Sequence, residues 1–221
     1  MIQEISGVDE AGRGPVIGPL IVAGVKFKNQ DILEEIKVKD SKRLSPKNRT
    51  KLERIIKQKS DRYETLKIPA KDIDDMRKVM TMNEIEIHAF TKVIKKLKTN
   101  FCYVDSADAN EKRFGNNIQK NLNKKIKIIS EHKADDTYPI VSAASILAKT
   151  RRDKEVKKIE KNLQKKLKLP LGSGYPSDMI TSKFLNTYIE KYKKLPPYTR
   201  RSWNTSKKAL RKITEKTIDD F

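Results

Sequence analysis

Two apolar segments of this 221-residue chain run out in an aspartate: Ile5-Ser6-Gly7-Val8-Asp9 and Phe101-Cys102-Tyr103-Val104-Asp105. If both are strands, adjacent and parallel, their carboxylates converge at the carboxyl end of a sheet, where open α/β sheets tend to bind ligands. Glu10 follows Asp9 directly and in an ideal strand points to the opposite face, so it joins the cluster only if the strand bends or breaks, as Ala11-Gly12 would permit. Asp135 and Asp136 stand before a run of small and apolar residues, Ile140 to Ala148, where the free amides and dipole of a buried helix favour an anion. Clustered carboxylates repel and stay ionised only around a cation, and hard oxygen donors select Mg²⁺ or Mn²⁺. That is the pattern of two-metal phosphodiester chemistry. Each residue also has an ordinary reading, since a strand-end Asp is commonly a turn residue and a pre-helix Asp a cap.

The elements that must position these side chains are legible in outline. Ile2 to Val8 and Pro19 to Phe27 read as strands joined by the turn Gly12-Arg13-Gly14-Pro15-Val16-Ile17-Gly18, a hairpin at the heart of a sheet. Ser45-Pro46 starts a helix, and Arg62 to Ile68 is a further strand. Thr81 and Glu84 form a capping box for a long amphipathic helix through Leu97. Phe101 to Asp105 and Lys125 to Ser130 are short strands flanking a helix with Phe114, Ile118 and Leu122. Pro139 opens a helix that is buried as far as Ala148 and turns basic and amphipathic toward Lys168. Ser177 can cap another helix carrying Phe184 and Tyr188, and a short one is expected near Ala209 to Ile213. Strands come early and helices late. The order predicts an α/β core over 1–175 and a helical C-terminal region over 176–221 that does not fold independently.

A formal charge of +21 attracts polyanions, and residues 151–221 concentrate it with 20 basic against 8 acidic side chains. A surface rich in Lys, Glu and Ile would also suit ion-pair networks of a thermophile. Nucleic acid is the leading partner. Within the basic regions, Ser41 and Lys42 precede a capped helix and can hold a phosphate, and Arg200, Arg201 and Trp203 can clamp a DNA strand, although Trp203 can equally anchor the last helix. His132 can shuttle a proton or be structural. The single cysteine, Cys102, forms no intramolecular disulfide and points to a reducing, cytoplasmic setting. No run approaches a membrane span and no signal peptide precedes Ile2. A monomer is expected, and a non-catalytic basic RNA-binding protein remains the alternative function at this level.

Four motifs in order carry a resemblance. They are Asp9-Glu10-Ala11-Gly12-Arg13-Gly14-Pro15, Asp40-Ser41-Lys42-Arg43-Leu44-Ser45, Tyr103-Val104-Asp105, and Asp135 followed by Val141-Ser142-Ala143-Ala144-Ser145-Ile146-Leu147-Ala148-Lys149. Together they resemble the type 2 ribonuclease H family, ribonuclease HII. The likeness is strongest to archaeal members, through Gly172-Ser173-Gly174-Tyr175-Pro176-Ser177-Asp178 and Arg200-Arg201-Ser202-Trp203. The extra N-terminal domain of the related type 3 enzymes has no counterpart here.

The resemblance implies a ribonuclease-H-like mixed sheet flanked by helices, with a helical C-terminal appendage. It implies cleavage of the RNA strand in RNA–DNA hybrids and nicking 5′ to single ribonucleotides embedded in duplex DNA, leaving 5′-phosphate and 3′-hydroxyl ends. Carried over by position, Asp9, Glu10, Asp105 and Asp135 are the catalytic ligands of Mg²⁺ or Mn²⁺. Asp136 competes with Asp135, which is preferred for its offset to the Ser-Ala-Ala-Ser helix. Backbone groups of Gly12, Arg13 and Gly14 and the side chain of Tyr175 would read the ribose. Finally, residues 215–221 resemble the short C-terminal peptide that docks repair enzymes onto a sliding clamp, with Ile218 and Phe221 in register and Glu215 in place of the usual glutamine. A frayed terminus is the alternative there.

Overall fold

The computed structural model describes residues 4–36, 38 and 44–218, with the main chain alone over 212–218. Ser41 and Lys42 lie outside the described residues, as do the last three residues of the 215–221 segment. The chain forms two compact units, one of residues 1–11, 21–67 and 80–151 and the other of 12–20, 68–79 and 152–221.

The first unit is built on five strands, β1 (Ile5–Ala11), β2 (Leu20–Phe27), β3 (Arg62–Ile68), β4 (Phe101–Asp105) and β5 (Lys127–Glu131), in the order β3-β2-β1-β4-β5. β1 runs antiparallel to β2, as the hairpin reading expects, and parallel to β4, which is parallel to β5. The parallel pair registers Gly7 against Tyr103 and Val8 against Val104. Alternation along the pleat then puts Asp9 and Asp105 on one face, at the same level.

Helices cover both faces. α1 (Asp31–Glu35) and α2 (Pro46–Lys59) belong to the face of Ile5, Ala11, Ile21 and Val25, together with the apolar half of α7 (Pro139–Gln164). α4 (Met82–Leu97) lies on the opposite face, where its Val93 and Leu97 pack over Gly24 and Val8. Phe90 of α4 meets Phe114 of α5 (Glu111–Lys120) edge to face, with ring centroids 5.2 Å apart. Two expected N-caps follow the sequence: Ser45 Oγ accepts from Asn48 N, and Thr81 and Glu84 exchange both bonds of a capping box; the helix expected to start at Ser177 is instead capped by Asp178, whose carboxylate accepts from Ile180 N. Gly7 is required by α7, because a Cβ there would lie 2.7 Å from the Ile140 carbonyl group. A bare Cα lets the start of α7 rest directly on β1. Cys102 is fully buried in β4.

The second unit has its own core of Val16, Ile17, Val156, Ile159, Leu163, Phe184, Leu185 and Tyr188. Its helices are the basic half of α7, α3 (Ala70–Met76), α8 (Met179–Tyr192) and α9 (Asn204–Ile218). Several boundaries differ from the sequence reading. β1 continues through Glu10 and Ala11, which pair with Val22 and Ile21, where the sequence reading ends the strand at Val8. A one-turn helix, α6 (Ala134–Thr137), carries Asp135 and Asp136 ahead of α7. α9 runs well beyond the short 209–213 segment expected. Among the described residues no helix is long and apolar enough to cross a membrane.

Candidate active site

Asp9, Glu10 and Asp105 each bring one carboxylate oxygen to within 4.8 Å of the others. Asp9 and Asp105 meet because their strands are parallel and in register. Glu10 arrives by another route than the strand break the sequence suggests. The strand stays intact, but its pairing with β4 stops at Val8, and β4 itself ends at Asp105. Glu10, still paired with Val22 of β2, nonetheless brings a carboxylate oxygen to the other two. Asp9 is only 3% exposed, and its Oδ1 accepts from the Glu10 amide at 2.7 Å. Burial, then the charges of Glu10, Asp105 and Asp135, hold its carboxyl well above the usual range, with the Ser145 hydroxyl acting in the opposite sense. Asp105 Oδ1 accepts from Ala134 N at 2.8 Å, which ties the end of β4 to α6.

The Asp135–Asp136 doublet separates by exposure. Asp135 is buried, its main-chain carbonyl accepts from Ser142 Oγ at 2.6 Å, and its Oδ2 lies 3.6 Å from Lys149 Nζ. It acts on Asp9 electrostatically although it is not one of the tight trio. Asp136 is exposed. Ser145 and Lys149, one helical turn apart on the buried half of α7, thus serve the acidic cluster. The sequence reading includes both in the family motif without giving either a role. The donor set is all carboxylate oxygen, mutually repelling, with Asp9 buried and Glu10 and Asp105 half-buried, which suits a hard divalent cation better than a soft one. His132 is exposed, and its main-chain amide donates to Glu111.

In the second unit, residues 12–18 are laced to two later segments. Val16 N and Ile17 N donate to Gly174 O at 2.8 and 3.2 Å, Gly18 N donates to Tyr198 O, and Arg200 N donates to Val16 O. Gly12 has φ +95°, and a Cβ there would lie 2.6 Å from Pro19 O and 2.7 Å from Arg152 Nε, so no other residue fits. Gly14 lies against the Tyr175 ring, and the Arg152 guanidinium stands 4.9 Å from that ring's centroid while donating to Ser173 O at 2.7 Å. Arg152 therefore touches Gly12, Ser173 and Tyr175 at once. Sequence reasoning missed it because it reads as one more cation on a basic helix. Asp178 fixes the same loop by accepting from Ser173 N, Ser173 Oγ and Ile180 N, bonds that pull its carboxyl down to about 2.

Arg13 is half-buried and Arg201 exposed, with its amide donating to Asp74 Oδ2. Arg200 departs from the expected phosphate clamp. It has no exposed surface, and its guanidinium donates to the carbonyls of Gly12, Arg13 and Gly18, so it holds the protein's own main chain.

The Ribonuclease HII family model matches residues 6–206. The ribonuclease HII of Methanococcus aeolicus is 45% identical, over 98% of this chain and 84% of that protein. The crystal structure of ribonuclease H2 from Pyrococcus horikoshii superposes with a TM-score of 0.87 at 42% identity, covering 96% of this chain and all of that one. The Archaeoglobus fulgidus ribonuclease HII, in its complex with PCNA, gives 0.83 at 36% identity over 90% and 95% of the two chains. Carboxylates gathered at the end of a mixed sheet, and likeness maintained along nearly the full length of these relatives, lead to one conclusion: the chain belongs to the ribonuclease HII family and is a ribonuclease H endonuclease.

Proposed function

We propose that this ribonuclease H depends on Mg²⁺ or Mn²⁺, cleaves the RNA strand of RNA–DNA hybrids, and nicks duplex DNA 5′ to a single embedded ribonucleotide, leaving 5′-phosphate and 3′-hydroxyl ends. The observation that carries this reading is the convergence of Asp9, Glu10 and Asp105 within 4.8 Å around the buried Asp9, an arrangement whose repulsion a bound cation relieves. Asp135 completes the ligand set in this reading, with Lys149 Nζ 3.6 Å from its Oδ2 to orient it. A divalent ion bound there supplies activation of a water for in-line attack and neutralises charge on the leaving 3′-oxygen. The protein's part is to hold the carboxylates at fixed distances and to keep bulk water from the buried Asp9. Ser142 fixes the main chain at Asp135, and the Ala134 amide fixes Asp105.

Recognition of the ribonucleotide falls to the Gly12–Gly14 main chain and Tyr175, which are in mutual contact, since a 2′-hydroxyl is read by close backbone approach and a polar or stacking partner. Exposed cations of 151–211, Arg201 among them, take phosphates of the duplex without regard to sugar. Ser41 and Lys42 are assigned to phosphate on sequence alone. The Archaeoglobus relative complexed with PCNA supports a clamp-docking role for residues 215–221, where Ile218 and Phe221 keep the spacing of the two apolar anchors. The cytoplasm is the location that fits this work.

The decisive experiment is a labelled DNA duplex with one ribonucleotide, incubated with the chain and each divalent ion. A single nick on the 5′ side, absent in EDTA, is the expected result. Cleavage elsewhere, or without metal, overturns the reading. Deleting 215–221 should abolish binding to the host clamp and leave nicking of short duplexes intact.

A further inference from the structure

We propose that Arg200 and Trp203 determine which edge of the Gly12–Gly14 segment presents its amides, and so act as positioning residues for recognition of the ribose 2′-hydroxyl. The proposal rests on the reading that this segment meets the ribose. Three consecutive carbonyls are held from one later stretch of chain. Arg200 Nη2 donates to Gly12 O at 2.5 Å, Arg200 Nη1 to Arg13 O at 2.6 Å, and Trp203 Nε1 to Gly14 O at 3.3 Å. The third arm of the guanidinium, Nε, reaches Gly18 O at 3.1 Å, which closes the turn at its far end. The guanidinium also sits 4.8 Å from the Trp203 ring centroid, so the two holding groups brace each other.

A trans peptide directs its N–H opposite to its C=O, and this chain has no cis bonds among its described residues. Holding the Gly12 carbonyl therefore turns the Arg13 N–H away from Arg200, and holding the Arg13 carbonyl does the same for the Gly14 N–H. The Gly14 carbonyl adjoins Pro15, which has no N–H, so Trp203 secures the end of the segment without consuming a donor. The Arg13 and Gly14 amides are thereby directed to one side of the segment, away from Arg200. A ribose 2′-hydroxyl can accept from such donors, and deoxyribose has nothing to offer them.

The choice of residue fits this task. Arg200 is wholly buried and, among the described residues, its hydrogen bonds go to carbonyls and to no carboxylate. Burying a charge in that way is unfavourable on stability grounds alone. A guanidinium has rigidly forked donors that three carbonyls can share at fixed angles, and an ammonium does not. The same burial, with the Arg152 charge nearby, brings its pKa down to about 9.

The test is binding in EDTA, where cleavage is suppressed, of two fluorescent duplexes that differ only in one ribonucleotide. The wild-type chain is expected to prefer the ribonucleotide duplex about tenfold, the worth of one or two hydrogen bonds. Arg200→Lys should erase that preference and Trp203→Phe should shrink it, both with unchanged affinity for all-DNA duplex and a cooperative melt. Preference retained in both variants overturns the proposal while leaving ribose reading intact. Equal weakening on both duplexes also overturns it, since that marks a merely structural role. A wild-type chain without preference overturns the ribose reading and this inference together. If Arg200→Lys fails to fold, Trp203→Phe decides by the same criteria.

Discussion

Lys149 brings its ammonium to 3.6 Å from Asp135 Oδ2, while Asp136 next in sequence is exposed. Asp135 is buried and acts on Asp9 electrostatically, so the doublet is divided into an inner and an outer member. Asp135→Asn should lower cleavage by about two to three orders of magnitude, the scale of losing one preorganised electrostatic group. Asp136→Asn should change it within a few-fold. Steady-state rates of the two variants on one substrate check this, and the reverse ranking would exchange their roles.

Metal binding should be visible without turnover. A ligand that binds the native state alone at a hundred times its Kd stabilises by about 2.7 kcal/mol. Saturating Mn²⁺ is expected to raise the melting temperature of the wild-type chain by several degrees. Asp9→Asn should melt no lower than wild type in EDTA, because it removes one of the mutually repelling buried carboxylates, and should lose the metal-induced rise. Thermal melts with and without Mn²⁺ measure both effects.

Tyr175 and the exposed cations should fail differently. Tyr175→Ala removes the ring that meets Gly14 and Arg152, so the loss should fall on ribonucleotide duplexes. Lys207→Ala or Arg211→Ala should weaken binding to every duplex and lower the salt slope by about one per lost phosphate contact. Titrations at several salt concentrations separate the two patterns.

Asp178 gives the Tyr175 loop an acid limit. Its folded-state pKa of about 2 lies below the ordinary 3.8, so its contribution to stability is complete above that ordinary value and is lost as pH falls through about 2. Asp178→Asn should destabilise the chain at pH 7 and flatten the dependence of stability on pH between about 4 and 2. Denaturant unfolding across that range is the measurement.

Much of the acidic site was legible because strand periodicity is strict. Two apolar runs each ending in Asp place both carboxylates on one face once the strands are parallel, and Asp9 and Asp105 follow from that alone. Glu10 was not legible as it stands, since strand alternation assigns it to the other face and its meeting with Asp9 and Asp105, in an unbroken strand, is a fact of tertiary structure. Arg200 misled for a related reason. An arginine in a basic stretch reads as a phosphate ligand until its carbonyl partners, more than 180 positions earlier, come into view. Short helices such as α3 and α6 carry too few turns for a periodic signal. The capping residues Ser45, Thr81 and Glu84, whose signal is local, marked their helix starts from sequence.

The only cysteine lies fully buried in the central sheet, with burial pushing its thiol up to about 12. A thiol in that state is inert to alkylating reagents while the sheet is closed. Cys102 is therefore a built-in clock for native-state opening. Its labelling rate in folded protein times how often β4 parts from its neighbours, so Mn²⁺, nucleic acid or a substitution can be compared by how far each slows that event.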